Sequence, residues 1–136
     1  MKFKLEDNVI VREEGSPYNG MMGKVIHIAI KASVYPYLVE FPIGEREAFR
    51  ERELEFIGLV LDGKVIKKGD KVWVIYLGEV CMGIIQNTAP GMVKLAIPKH
   101  SVIGLDMSMA TKLGFVRPYT LEGKKQAEER VEVSKK

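Results

Sequence analysis

The residues of this chain best suited to chemistry are two groups of cations with an aromatic ring nearby, and the chemistry they suit is binding. In the first group Arg12, Tyr18 and Lys24 bracket a turn-rich loop, so a guanidinium, a phenol and an ammonium fall within reach of one patch. A nucleic-acid base stacked on Tyr18 would gain roughly 1 to 3 kcal/mol, and a phosphate contact from Arg12 or Lys24 would add a salt-dependent term. Glu13 and Glu14 lie in the same loop and oppose a polyanion. In the second group Lys67, Lys68, Lys71 and Trp73 follow one another closely. Met21 and Met22 stand beside the first group as adaptable apolar contacts for a protein partner, with capping of the interior by one of them as the alternative.

Catalytic chemistry finds no matching set of residues. His27 lies among isoleucines in an apolar run, and His100 stands next to Lys99 in a turn. No Ser, His and Asp combination, no pair of metal ligands at helical or CxxC spacing and no phosphate-cradling glycine loop is visible. Cys81, the only cysteine, sits between Val80 and Met82, which suits a small core residue and a reducing compartment. The expectation is a protein that is not an enzyme, with no cofactor and no metal.

Charge is distributed unevenly. Residues 1–60 carry eight Lys or Arg against ten Asp or Glu, a balance of −2. Residues 61–119 carry eight against four, +4, and residues 120–136 carry five against four, +1. A polyanion would therefore find its footprint on the second half, where more phosphates can be neutralised. No apolar run reaches the roughly 18 residues that span a bilayer, and the N-terminal residues lack the apolar core of a signal peptide, so a cytoplasmic protein without a membrane partner is expected.

The elements that must position these groups follow a repeat. Asp7, Val9 and Val11 precede Gly20, Gly23, Lys24 and Val25; Asp70, Val72 and Val74 precede Gly78, Gly83 and Ile84. β-Branched runs bounded by turn formers predict strands over 9–11, 25–30, 37–41 and 47–50, then over 71–76, 80–86 and 92–97. Residues 51–57 should form a 3₁₀ turn that drops Leu54 and Ile57 onto the core. Residues 58–63, with an Asp-Gly turn, should join the halves rigidly. Turns are expected at 77–79 and 87–91. Asp106 and Gly114 delimit a short helix near 106–113, with a last strand at 115–117. If Val72 and Val74 face inward, Trp73 and Ile75 face the other way, onto the first half. The mixed-charge residues 120–136 show almost no apolar face and are expected to be a flexible tail or a frayed helix.

The run Asp7-Asn8-Val9-Ile10-Val11, a turn-rich loop and Gly20-x-x-Gly23-Lys24-Val25-Ile26 resembles the KOW motif of ribosomal proteins and transcription-elongation factors. That motif belongs to the small β-barrels of Src-homology-3-like or Tudor-like topology. Glu6 stands where such proteins usually carry glycine; the second copy has Gly69 there, but its wider glycine spacing is closer to the Tudor-like relatives. The resemblance implies a mostly β protein of two tandem small Src-homology-3-like barrels packed together: a KOW-like one over 1–59 and a Tudor-like one over 60–119. It also implies a binding protein associated with nucleic acid or with the transcription or translation machinery. The alternative is a protein-protein interaction or assembly factor. A Tudor-like aromatic cage is a third option, for which Trp73 and Tyr76 fall on opposite faces of one strand.

Overall fold

The computed structural model describes residues 2–29 and 34–135. Two antiparallel sheets follow each other along the chain. The first contains β1 (Asn8–Val11), β2 (Met22–Ile28), β3 (Tyr37–Glu40), β4 (Arg46–Phe49), β5 (Leu54–Leu61) and β6 (Lys64–Ile66), in the order β4-β3-β2-β1-β5-β6. The second contains β7 (Lys71–Tyr76), β8 (Glu79–Ala89), β9 (Met92–Ala96), β10 (Val102–Asp106) and β11 (Val116–Pro118), in the order β10-β9-β8-β7-β11. A 3₁₀ turn at Glu51–Glu53 precedes β5, a short helix α1 (Met107–Ala110) precedes β11, and the chain ends in α2 (Leu121–Lys135). No helix among the described residues is long and apolar enough to cross a membrane.

The repeat seen in the sequence is reproduced pair by pair in the strand register. Val9 faces Gly23 across β1 and β2, and Val72 faces Gly83 across β7 and β8. Both long second strands bulge at the same place, between Val25 and His27 in β2 and between Ile85 and Asn87 in β8. The chain entering each first strand is fixed in the same way: Lys4 N–H donates to Asp7 Oδ2 and Lys67 N–H donates to Asp70 Oδ2, both at 2.8 Å. The residue before each aspartate is left-handed, with φ of 70° at Glu6 and 91° at Gly69. Glu6 thus holds a conformation in which glycine is at ease and glutamate is not. Gly23 is required for a different reason, because a Cβ there would lie 2.5 Å from Val39 Cγ1.

Each sheet wraps its own core. Val9, Val11, Val25, Tyr37, Val39, Phe41, Phe49 and Leu54 fill the first together with Phe3, and Val72, Val74, Ile85, Val93, Leu95 and Val116 lead the second. The expected linker at 58–63 is instead the continuation of a strand. β5 puts Leu54 into the first core and Leu59 and Leu61 into the second, and Phe56 touches both. Only Asp62 and Gly63 turn, with φ of 50° and 74°, to form a two-residue hairpin pairing Leu61 with Lys64. Rigid attachment is the result, by a shared strand and not by a short loop.

Polar groups lock the junction. Asp7 is fully buried, and its Oδ1 accepts the N–H of Gly91 in the β8–β9 turn at 2.7 Å. The Gly91 carbonyl accepts Met107 N–H at 2.9 Å, which carries the link to α1. Asn8 Nδ2 donates to Gly58 O at 2.9 Å, and Gly58 leaves no room for a Cβ beside Thr88.

Several boundaries differ from the sequence expectation. The 3₁₀ turn stops at Glu53, and Ile57 lies within β5, half-buried. β8 runs on through Asn87, Thr88 and Ala89, because the turn needs only Pro90 and Gly91, the latter at φ 80°. β10 was not anticipated, and α1 is four residues long. Ile30, the expected end of the second strand, lies outside the described residues. The C-terminal segment is not a flexible tail. Thr120 Oγ1 accepts Gly123 N–H at 2.9 Å and caps a fifteen-residue helix whose Ala127 and Val131 are buried against Ile75.

Both Asp7 oxygens accept an N–H, whereas among the described residues the Asp70 side chain accepts one, from Lys67. Asn at position 7 would turn an amide donor against one of those N–H groups. Asp7→Asn is expected to cost about 1–3 kcal/mol in urea unfolding, and Asp70→Asn less than about 1 kcal/mol. Burial holds the Asp7 carboxyl above its ordinary value of 3.8, outweighing the two N–H bonds that pull it down. The folded state therefore binds its proton more readily than the unfolded state, so the Asp7 contribution to stability grows as pH falls through that raised value and is complete below 3.8.

Candidate nucleic-acid interface

On the first sheet the expected binding residues are engaged by the protein itself. Arg12 Nε lies 2.8 Å from Glu55 Oε2, and Lys24 Nζ lies 3.4 Å from Glu6 Oε2. Tyr18 stacks on Phe41 with ring centroids 4.9 Å apart and planes 9° apart, and meets Phe49 edge-on. One face of the ring is thus taken by the core. Burial raises the Tyr18 phenol above its ordinary value, and the charges of Glu45 and Glu47 push it the same way. A groove of about 340 Å³ beside it is lined by Glu13, Glu47 and Glu53 with Tyr18, Tyr35 and Phe49. Glu13 is held above its ordinary value chiefly by a hydrogen bond with Glu53. Carboxylates gathered this way repel phosphate.

The methionines part company at the start of β2. Met21 packs against the first core, while its backbone bonds to Tyr18 and Val11. Met22 faces Ile10 in the strand register and lines a groove of about 400 Å³ with Phe41, Pro42, Ile57 and Val60.

The second sheet assembles a different surface. Val72 and Val74 are buried in its core, so Trp73 and Ile75 alternate to the other face, as expected. That face does not pack on the first sheet, however. The chain leaving β11 turns back over it: Tyr119 lies on Trp73 with centroids 4.7 Å apart at 31°, and Trp73 Nε1 donates to Thr120 O at 3.1 Å. Ile75 is covered by Ala127 and Val131. The signal that finds this contact is Gly123, Ala127 and Val131 at four-residue spacing, a narrow stripe of small side chains in an otherwise charged segment.

Cations frame the two rings. Lys71 Nζ is 5.9 Å from the centre of Tyr119, and Lys124 Nζ is 5.2 Å from the centre of Trp73. Lys67 and Lys68 are exposed in the turn that leads to Asp70 and β7. Of the residues singled out from the sequence, Lys71 and Trp73 therefore meet in one cluster, with Lys67 and Lys68 on the adjoining turn. Tyr119 and Lys124 complete it, and no local spacing in the sequence announced them.

The remaining chemically versatile side chains take other positions. Tyr76 meets His100 edge-on, 5.7 Å between centres, and is therefore no part of a cage with Trp73. His27 is exposed. Cys81 is half-buried, and burial raises its thiol above the ordinary value. Among the described residues no three His, Cys, Asp or Glu side chains gather in a way that could hold a metal ion. No family model matches this chain, and no curated protein matches it in sequence.

Trp73 is the only tryptophan, so it reports on the helix that covers its face. Ala127→Glu places a charge in the seam against Ile75. The expected outcome is a red-shifted Trp73 emission and a loss of helical circular dichroism, while the β signal is retained. An unchanged emission spectrum would mean that α2 does not shield the ring.

Proposed function

We propose that this protein is a non-catalytic nucleic-acid-binding module, working on RNA or DNA or on the transcription or translation machinery that carries them. Each sheet, in this reading, is a small barrel of Src-homology-3-like topology, the first KOW-like and the second Tudor-like. The observation that carries the proposal is the cluster of Lys71, Trp73, Tyr119 and Lys124 on the half of the chain that is net positive. Ammonium groups there release counterions from a phosphate backbone, and the rings supply flat apolar surface. The first barrel, with its ion-paired Arg12 and Lys24 and its carboxylate-lined groove, serves in this account as a rigid partner that does not compete for phosphate.

A second reading has one observation in its favour. Met22, Pro42, Ile57 and Val60 line an apolar groove on the first sheet, and Ile43 nearby is 74% exposed, which suits an apolar segment of a protein partner. Retention of one protein from native lysate after nuclease treatment, lost on Met22→Asp, would favour it.

Fluorescence anisotropy with labelled oligonucleotides tests the main proposal. If about four phosphates are neutralised, affinity should fall roughly 50-fold for a single strand and roughly 150-fold for a duplex between about 50 and 200 mM salt. Lys67→Glu, Lys68→Glu and Lys71→Glu combined should abolish binding at low salt, and Arg12→Glu should leave it unchanged. Folded protein that binds no nucleic acid at about 50 mM salt would contradict the proposal.

A further inference from the structure

Between the β5–β6 hairpin and the segment that leads into α2 runs a groove of about 500 Å³. Leu61, Ile66 and Tyr119 give it apolar walls, and Lys64 and Lys71 stand along it. We infer that this groove receives one unpaired base of a single-stranded nucleic acid, stacked on Tyr119, with the flanking phosphates on Lys64, Lys71 and the Lys67–Lys68 turn. The inference rests on the nucleic-acid reading above and names the form of ligand that the site takes.

Three features argue for a base in this place. Tyr119 is 46% exposed although Trp73 backs it and Lys71 Nζ lies over its ring at 5.9 Å, so a base stacks on the exposed part of the residue as Lys71 swings out to a flanking phosphate. Trp73 is itself held by Tyr119, by Lys124 and by its N–H bond to Thr120 O, which makes it the positioning residue and Tyr119 the platform. Asp62 and Asp70 also line the groove, and Asp70 Oδ2 is committed to Lys67 N–H. A phosphate inside the groove would meet two carboxylates, whereas a neutral base would not; the phosphates belong on the lysines at the rim.

The form of the nucleic acid follows from the same geometry. A ring can stack only on a base whose face is free, and in a duplex the faces are already taken by neighbours. The groove volume of about 500 Å³ lies within the range of roughly 300–1,000 Å³ that holds a small ligand, which is room for one nucleotide.

The test compares a labelled single strand of about 12 nucleotides with its duplex, on the full chain at about 50 mM salt, by anisotropy and by quenching of Trp73 emission. The single strand should bind about tenfold tighter or better than the duplex. Tyr119→Leu keeps an apolar group on Trp73 and removes the platform. It should weaken the single strand roughly 5- to 150-fold, leave the duplex unchanged and abolish the quenching, while Tyr119→Phe behaves as the wild type. A Tyr119→Leu protein that binds the single strand as tightly as the wild type, or that weakens both forms equally, overturns the inference. If the Lys67, Lys68 and Lys71 charge reversals still abolish binding in that case, the nucleic-acid reading survives without it. Absence of binding to either form by folded wild-type protein removes both.

Discussion

The buried carboxylate of Asp7 is the point on which the two sheets depend. It stands at the entrance to β1, where its counterpart Asp70 stands at the entrance to β7, and both accept the N–H three residues upstream. Among the described residues Asp7 alone of the two has a second task, accepting the Gly91 N–H from a turn 84 residues away. Gly91 passes the link to α1 through its carbonyl, and the adjoining Asn8 ties down Gly58 at the bulge of β5. An ionised group at this depth loses its hydration, and two N–H dipoles replace that hydration only in part, which is why the Asp7 carboxyl stays above its ordinary value. A duplicated local device has thereby become, in one copy, the fastener between copies.

With the junction fixed, the two halves differ in their surfaces far more than in their backbones. The register, the bulges and the glycine opposite the first valine recur in both sheets. On the first, cations pair with glutamates and the aromatic ring of the loop turns inward. On the second, lysines stand beside two rings in tilted contact, one of them delivered by the segment after β11. Shared framework and divergent surfaces are what duplication followed by specialisation produces; in the proposed reading the anion-binding task falls to the second half alone.

Much of the framework was legible in the sequence because it is written in local residues. Alternating valines, the Asp62-Gly63 turn and the aspartate–glycine spacing depend on neighbours two to twenty positions apart. What was not legible depends on distant packing. Residues 51–57 read as a 3₁₀ turn and 58–63 as a linker, yet Leu54–Leu61 is one strand, bulged at Gly58, whose far half fills the other core. The C-terminal segment has only Gly123, Ala127 and Val131 to recommend it as a packed helix, and its partner Ile75 lies about fifty residues upstream. The interface suffered most from this, since Tyr119 and Lys124 reach Trp73 only through the return of the chain after β11.

The central claim is that the basic, aromatic face of the second sheet is where nucleic acid binds. Amide and indole chemical shifts recorded by two-dimensional ¹H–¹⁵N NMR during titration with an unlabelled single-stranded oligonucleotide test it most directly. The account predicts shifts confined to the Trp73 indole, Lys64, Lys71, Tyr119, Lys124 and the turn at Lys67 and Lys68, with the loop around Tyr18 unmoved. Shifts centred on Arg12, Tyr18 and Lys24 with the Trp73 indole unmoved would contradict it.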